Sequence, residues 1–224
     1  DSNYIAVHHV GSTTATNYND STSRGNNSDA ITLVTRGPVV GSAGNAATFT
    51  GSTGASYITL PDSTDYDMAS YTVEAYVRQA GAQAGLISTG SGGQTSIAPI
   101  VAKGMADAES QVADVQFFLG VTATTAGADF ENNILTAGGV SPSVNAPVTA
   151  TSSVTTGTWY HLAQRFNYQE INAATSTHNI YKNGSREGSI QTGLKKSVQG
   201  NQKVGNYVAP KVEGVTAGGG FNGE

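Results

Sequence analysis

Apolar and polar residues alternate with a period of two in short segments along most of the chain, a pattern typical of half-buried β-strands. The clearest segment is "YTVEAYVR", in which Val73, Ala75 and Val77 fall on one face and polar side chains on the other. Gly, Ser, Asn and Asp separate the segments, as turns require. Further strands are predicted at residues 4–10, 31–34, 46–49, 57–60, 86–88, 100–103, 115–121 and 203–206. The weak helical pattern at 105–114 is too short to be stable alone, so the pattern indicates an all-β fold.

A strong strand and a hairpin follow in the second half of the chain. The strand is "TWYHLAQRFNY", where we expect Trp159 to anchor the core and His161 to make a buried hydrogen bond. The hairpin is "HNIYKNGSREGSI", because Asn183 and Gly184 supply the two positive-φ residues that a type I′ turn requires.

Residues 123–156 are low in charge and rich in Ala, Thr, Gly, Ser and Pro. This composition predicts a long surface insertion with one short strand near residues 133–135. The segments on either side have the pattern of one sheet system. The sequence therefore predicts a single domain over residues 1–224, built as a two-sheet antiparallel β-sandwich.

Composition excludes several function classes. The net charge is −5 and no basic run occurs, which argues against nucleic-acid binding. The absence of cysteine excludes disulfides, thiolate metal sites and thiol catalysis, and no apolar stretch has the length of a membrane span. The chain opens with Asp1, which suggests a processed or excerpted product. Low charge with abundant Thr, Ser and Asn suits an extracellular, cell-surface or virion-surface location.

Several segments, in this order, resemble the laminin-G-like jelly roll of the concanavalin A-like lectin/glucanase superfamily. They are "GNAATFTGSTGASYITLPDS", "YTVEAYVR", "GTWYHLAQRFN", "IYKNGSREGS" and "KVGN" followed by "FNGE". The resemblance implies a concanavalin A-like jelly roll with a closing strand that follows F-N-G and pairs with the first strand. That strand is missing after Glu224, so the resemblance implies that a longer chain or a neighbouring subunit supplies it.

The superfamily includes glycoside hydrolases, which need two carboxylates about 5–5.5 Å apart for retaining cleavage. No E-x-D-x-E cluster occurs in the sequence. Glu74 stands alone on its strand, and Arg78 on the same face suggests an ion pair rather than an acid/base. The sequence therefore predicts a protein without catalytic activity.

Glu74, Tyr76 and Arg78 share the face of their strand that points away from the core, and they are the candidate ligand-binding residues. If this face is concave, it can bind a glycan or another cell-surface polymer. The alternative is that these side chains only stiffen the sheet.

These features predict adhesion or carbohydrate recognition within a surface assembly. A second possibility is a structural subunit of an extracellular filament or phage particle without a glycan ligand. Such a subunit self-associates and is completed by a strand from a neighbour.

The loop at residues 19–29 carries oxygen-bearing side chains at short spacing, which suits calcium. Asp20, Asn26 and Asp29 are the candidate ligands. The alternative is that Asp20 caps a turn through hydrogen bonds to nearby backbone.

Overall fold

The structure is a computed structural model, and the part of the chain it describes consists of fifteen ranges. They are residues 3–10, 18–32, 35–38, 45–50, 57–61, 63–66, 68–81, 98–104, 115–121, 125–136, 139–145, 148–168, 176–192, 206–208 and 221–224.

The described residues form fifteen strands and one short 3-10 helix, Thr64–Tyr66. The strands are β1 (Ala30–Thr32), β2 (Thr35–Pro38), β3 (Asn45–Thr50), β4 (Tyr57–Leu60), β5 (Tyr71–Arg78), β6 (Ala98–Gly104), β7 (Val115–Val121), β8 (Thr125–Thr136), β9 (Gly139–Asn145), β10 (Val148–Ser153), β11 (Trp159–Asn167), β12 (Thr177–Lys182), β13 (Ser185–Thr192), β14 (Asn206–Val208) and β15 (Asn222–Gly223). The prediction of an all-β fold is confirmed. No helix in the described ranges is long and apolar enough to cross a membrane.

The first layer of the sandwich is an antiparallel sheet with the order β1-β4-β14-β6-β7-β8-β10, and β9 pairs with β8 at its side. Three of these strands, β8, β9 and β10, lie within residues 123–156. This segment therefore contributes to the sheet, whereas the sequence suggested a surface insertion. Its abundant Thr and Val favour strands, and low charge does not distinguish a strand from a loop.

The second layer contains the four-stranded sheet β13-β12-β11-β5 and the three-stranded sheet β15-β3-β2. The two sheets meet at β15. On one side Asn222 and Gly223 pair with Thr50 and Phe49 of β3, and on the other Gly223 forms a bridge with Gln79. Backbone hydrogen bonds complete this junction, from Arg78 N to Glu224 O (2.7 Å) and from Glu224 N to Arg78 O (2.8 Å).

The core lies between the two layers and contains apolar side chains of both. Its largest fully buried side chains are Tyr18, Ile58, Leu119, Val121, Leu162, Ile180 and Phe221. Ile58, Leu119 and Val121 come from the first layer, whereas Leu162 and Ile180 come from the second. The prediction of a two-sheet antiparallel β-sandwich is confirmed.

Local predictions have mixed outcomes. The hairpin turn is confirmed, since Asn183 and Gly184 have φ values of 51° and 79°. Residues 4–10 form no strand, and their described pairing is a single bridge between His8 and Asp20. The predicted segments at residues 86–88 and 105–114 lie outside the described residues.

The segment of residues 221–224 is closely packed as well as hydrogen-bonded to its neighbours. The Phe221 side chain is 2% exposed, and its ring centroid lies 6.4 Å from that of Phe49. A Cβ atom on Gly223 would lie 2.3 Å from the carbonyl oxygen of Arg78. Glycine is therefore required here because β5 approaches too closely for any side chain.

We predict that Gly223→Ala lowers the free energy of unfolding by about 3 kcal/mol or more, because the methyl group would push β15 away from β5 and break their hydrogen bonds. Urea denaturation measures the effect. Gly157→Ala is the control, since a Cβ there meets open space and only its φ of +80° opposes the change, which costs about 1–2 kcal/mol. Equal losses in the two variants would contradict the close approach at Gly223.

Candidate functional site

The register of the four-stranded sheet decides which side chains face away from the core. Val73, Ala75 and Val77 of β5 pack against the core, so the alternate residues of β5 point outward. Side chains directly opposite on paired strands share a face, which extends the set across the sheet. This outer face consists of Thr72, Glu74, Tyr76, Arg78, Trp159, His161, Ala163, Arg165, Asn179, Tyr181 and Arg186.

Glu74, His161 and Tyr76 form one contact group on the outer face. Glu74 Oε2 lies 3.3 Å from His161 Nε2, and the centroids of the Tyr76 and His161 rings are 5.1 Å apart. The backbone of His161 is fixed as well, because its N–H donates a 2.9 Å hydrogen bond to Asn183 Oδ1. The Tyr76 side chain is 73% exposed, so a well-supported aromatic ring projects into solvent.

Arg78 belongs to a second contact group. Its Nη2 lies 2.5 Å from Glu224 Oε1, and its guanidinium lies 5.5 Å from the centroid of the Trp159 ring. The suggested ion pair between Glu74 and Arg78 is therefore wrong, because each residue has another charged or titratable partner. Arg78 connects the segment of residues 221–224 to the outer face.

Ala163 occupies the centre of the outer face, where β5, β11 and β12 meet. It pairs with Glu74 on one side and with Tyr181 on the other. Ala163 is only 6% exposed, so larger neighbouring side chains cover it. Tyr76 lies one strand away in one direction and Tyr181 one strand away in the other, which puts their Cα atoms roughly 12 Å apart. Two tyrosines thus flank a small residue.

The predicted ligand residues Glu74, Tyr76 and Arg78 all lie on the outer face. The sequence interpretation placed Trp159 and His161 in the core, whereas the register places both on this face. It also missed Arg165, Tyr181 and Arg186. The sequence contained a signal for two of them, the Asn183-Gly184 turn. Counting outward from this turn along both strands of the hairpin places Tyr181 opposite Arg186.

The Glu74–His161 pair can contribute to binding. A histidine that contacts a carboxylate through one ring nitrogen is held in position, and its other nitrogen can form a hydrogen bond with a bound molecule. Because Tyr76 lies beside it, a bound molecule on this face would meet both a flat ring and a titratable group.

The predicted calcium ligands lie in a loop ordered by hydrogen bonds to Asp20. Its Oδ1 accepts from the backbone N–H groups of Val7 and Thr22, both at 2.9 Å. Its Oδ2 accepts from the Thr22 hydroxyl at 2.6 Å and from the Asn26 N–H at 3.0 Å. Two donors on each oxygen use the four acceptor positions of a carboxylate.

Of the three predicted calcium ligands, Asp20 and Asn26 are neighbours, since the Asn26 N–H donates to Asp20 Oδ2. Asn26 Nδ2 donates to Ile5 O (3.0 Å) and to Asp65 Oδ2 (3.2 Å), and Asp29 is exposed. Within the described ranges no group of three or more His, Cys, Asp or Glu side chains is placed to hold a metal ion. The hydrogen bonds of Asp20 are those of the alternative, in which it stabilises the turn, and calcium binding by Asp20, Asn26 and Asp29 stays a prediction.

A polar group at the other end of the sandwich ties the two layers together. Glu187 of β13 accepts hydrogen bonds from the Thr151 hydroxyl (2.9 Å) and the Ser152 hydroxyl (2.7 Å) of β10. The Ser152 bonds are the main cause that lowers the pKa of Glu187. Lys182 Nζ lies 4.0 Å from Glu187 Oε1 and also contacts Ser152. The polar groups of these residues bind one another, so we assign them a structural role.

No protein-family model matches the chain, and no curated protein matches it significantly. Among solved structures it is similar to the endo-β-1,4-glucuronan lyase of the fungus Trichoderma reesei. The similarity has a TM-score of 0.39 and 10% sequence identity, and it covers 81% of this chain and 78% of that chain.

The prediction that the chain lacks catalytic activity is not retained, because the similar structure is that of an enzyme; the likeness concerns the fold and assigns this chain no activity. The prediction rested on the missing carboxylate pair of glycoside hydrolases. That test excludes one mechanism only, and it does not cover acid–base chemistry by a histidine such as His161.

The Asp20 loop generates a prediction about acid stability. Burial alone would raise the pKa of Asp20, but the hydrogen bonds from Thr22, Val7 and Asn26 lower it to about 2. Because the folded pKa lies below the unfolded value, Asp20 stabilises the fold above about pH 4. We expect this contribution, on the order of 1–2 kcal/mol, to be lost as the pH falls toward 2.

Urea denaturation at several pH values tests this. In Asp20→Asn the unfolding free energy should be lower at neutral pH and should fall less between pH 5 and pH 2, which are about the limits of the titration. Asp29→Asn, an exposed substitution in the same loop, is the control. If Asp20→Asn and Asp29→Asn had the same pH profile, the proposed role of Asp20 would be refuted.

Proposed function

We propose that the outer face binds carbohydrate and that the protein acts in adhesion or glycan recognition within a surface assembly, outside a cell or on a virion. The observation that carries the proposal is the exposed Tyr76 ring, supported by His161 and Glu74, with Tyr181 across Ala163. The location follows from the low charge and the Thr, Ser and Asn content. The order of the sequence motifs supports a laminin-G-like kinship, which is part of the proposal.

The physical basis is the amphipathic character of sugars. The C–H side of a sugar ring packs on an aromatic face, while its hydroxyl groups need hydrogen-bond partners at the edge of that face. Tyr76 supplies the ring. Glu74 and His161 supply acceptor and donor groups beside it.

The support beneath Tyr76 favours binding. A side chain that is already held by its neighbours loses little conformational entropy when a ligand arrives. The Tyr76 ring contacts the His161 ring, and His161 is fixed by Glu74 and Asn183. The Tyr76 ring is therefore preorganised for binding, since its position is fixed before a ligand arrives.

A second candidate function is that of a structural subunit completed by a neighbour's strand. β5 pairs with β11 along its length, and on its opposite edge the described contacts are those of Arg78 and Gln79 with the segment of residues 221–224. β3 likewise pairs with β2 at one edge and with β15 through Phe49 and Thr50 at the other.

β15 therefore keeps β3 and β5 about two strand spacings apart, near 10 Å. A strand in line with β15 would form backbone hydrogen bonds with both. No strand of the described ranges occupies this position, which is a template for a strand from another molecule, and we propose that a neighbouring copy fills it in an assembly.

For carbohydrate recognition, we predict that Tyr76→Ala and Tyr181→Ala each weaken glycan binding about tenfold, through loss of ring contact. Calorimetry with tetrasaccharides of β-1,4-glucose, β-1,4-xylose and α-1,4-galacturonate measures affinity. The single tryptophan, Trp159, lies on the outer face and provides a fluorescence signal. Release of reducing ends and of unsaturated products in the same mixtures detects catalysis.

Tyr4→Ala is the matched control, because Tyr4 is also exposed (45%) but lies outside the outer face. Its affinity should equal that of the unchanged chain. Binding that survives both Tyr76→Ala and Tyr181→Ala would place the glycan site elsewhere, and no binding of any tested glycan would refute the proposal.

For the structural subunit, we predict concentration-dependent oligomers in light scattering. The backbone amides of β5 should exchange hydrogen more slowly in the oligomer than in the monomer, because the added strand covers its open edge. The amides of β12, which has a strand on each side, serve as the control. Oligomers with unchanged exchange in β5 would show that association uses another surface.

A further inference from the structure

We infer that the ligand of the outer face is an acidic polysaccharide, whose carboxylate or sulfate groups are bound by Arg165 and Arg186. The inference rests on the proposed carbohydrate function and names its substrate class. It depends on which charged groups of the protein are already paired.

The described arginine side chains fall into two groups. Arg24 pairs with Asp65 at 3.1 Å, and Arg78 pairs with Glu224 at 2.5 Å. Arg165 and Arg186 are exposed, and the described part of the chain provides neither with an ion pair or a hydrogen bond through its guanidinium. Both unpaired arginines lie on the outer face.

The two unpaired arginines lie on strands on either side of β12, which carries Tyr181. Arg186 of β13 is directly opposite Tyr181, and Arg165 of β11 is opposite Asn179 and Thr72. β11 and β13 are separated by one strand, so the two backbones lie about 10 Å apart. A saccharide of a few residues across Tyr181 would therefore reach both guanidinium groups.

The charge of the outer face differs in sign from that of the whole protein. The chain carries a net charge of −5, yet the acidic residue of this face, Glu74, is engaged by His161. Two uncompensated arginines remain, and a guanidinium binds a carboxylate or sulfate through two parallel hydrogen bonds. The local field thus favours an anionic ligand despite the overall negative charge.

The chemistry favours a sugar acid over a nucleic acid. Phosphate polymers are bound by clusters of Lys and Arg that neutralise many charges, whereas this face offers two separated arginines. The half-buried ring of Tyr181 beside Arg186, with the exposed ring of Tyr76 further along the face, suits a polymer with apolar ring faces and spaced anionic groups.

Calorimetry on the intact chain tests the inference with three probes: tetragalacturonate, a sulfated tetrasaccharide and neutral cellotetraose. We expect an anionic probe to bind more tightly than cellotetraose and its affinity to fall as salt is added. Arg165→Gln and Arg186→Gln should each weaken binding of the anionic probe about tenfold. Arg24→Gln, which removes the same charge elsewhere, should leave the affinity unchanged.

Preference for tetragalacturonate would identify carboxylates as the recognised groups, and preference for the sulfated probe would identify sulfate esters; either supports the inference. Equal affinity for cellotetraose, unaffected by both Arg→Gln changes, would overturn the acidic class while carbohydrate recognition remained. If no probe bound, the proposed function and this inference would fail together. Circular dichroism confirms that each variant is folded.

Discussion

The insertion of residues 221–224 between β3 and β5 is the constraint on which the second layer depends. β15 pairs with β3 on one side, and its neighbour Glu224 bonds to Arg78 on the other, so it joins two sheets that otherwise have separate hydrogen-bond networks. The same segment buries Phe221 in the core and brings the Glu224 carboxylate to Arg78. Arg78 lies over Trp159 on the outer face. Closure of the layer and the arrangement of the candidate site are therefore physically connected.

The register of the strands is the second constraint, because it decides which side chains face outward. A slip of one residue of β5 against β11 would turn Tyr76 toward the core and Val77 toward solvent. The Asn183-Gly184 turn fixes the pairing of β12 with β13, and Asn183 Oδ1 accepts the His161 N–H of β11. One turn residue thus sets a hairpin register and also fixes the backbone of the histidine on the outer face.

The sequence could predict those features that depend on local pattern. The strand β5 and its two faces follow from clean alternation, and the hairpin follows from two residues. Trp159 and His161 were misplaced because "TWYHLAQRFN" has large or aromatic residues on both faces: Tyr160, Leu162 and Phe166 on one, Trp159 and His161 on the other. The Arg78–Glu224 pair joins residues 146 positions apart. No local pattern contains such a contact, so the sequence suggested the nearer partner, Glu74.

Asp20 and the outer face differ in how far the fold already uses their polar groups. A side chain whose hydrogen-bonding capacity is unused can offer it to a ligand. Asp20 accepts four hydrogen bonds, three from Thr22 and Asn26 of its own loop and one from Val7, and these bonds let its charge stabilise the fold. The outer face has the opposite property: Tyr76 is exposed on a fixed support, and Arg165 and Arg186 have no described partner. The unpaired groups on one face are therefore the ones that the proposed acidic ligand would use, whereas the hydrogen-bonding capacity of Asp20 is already used by the fold.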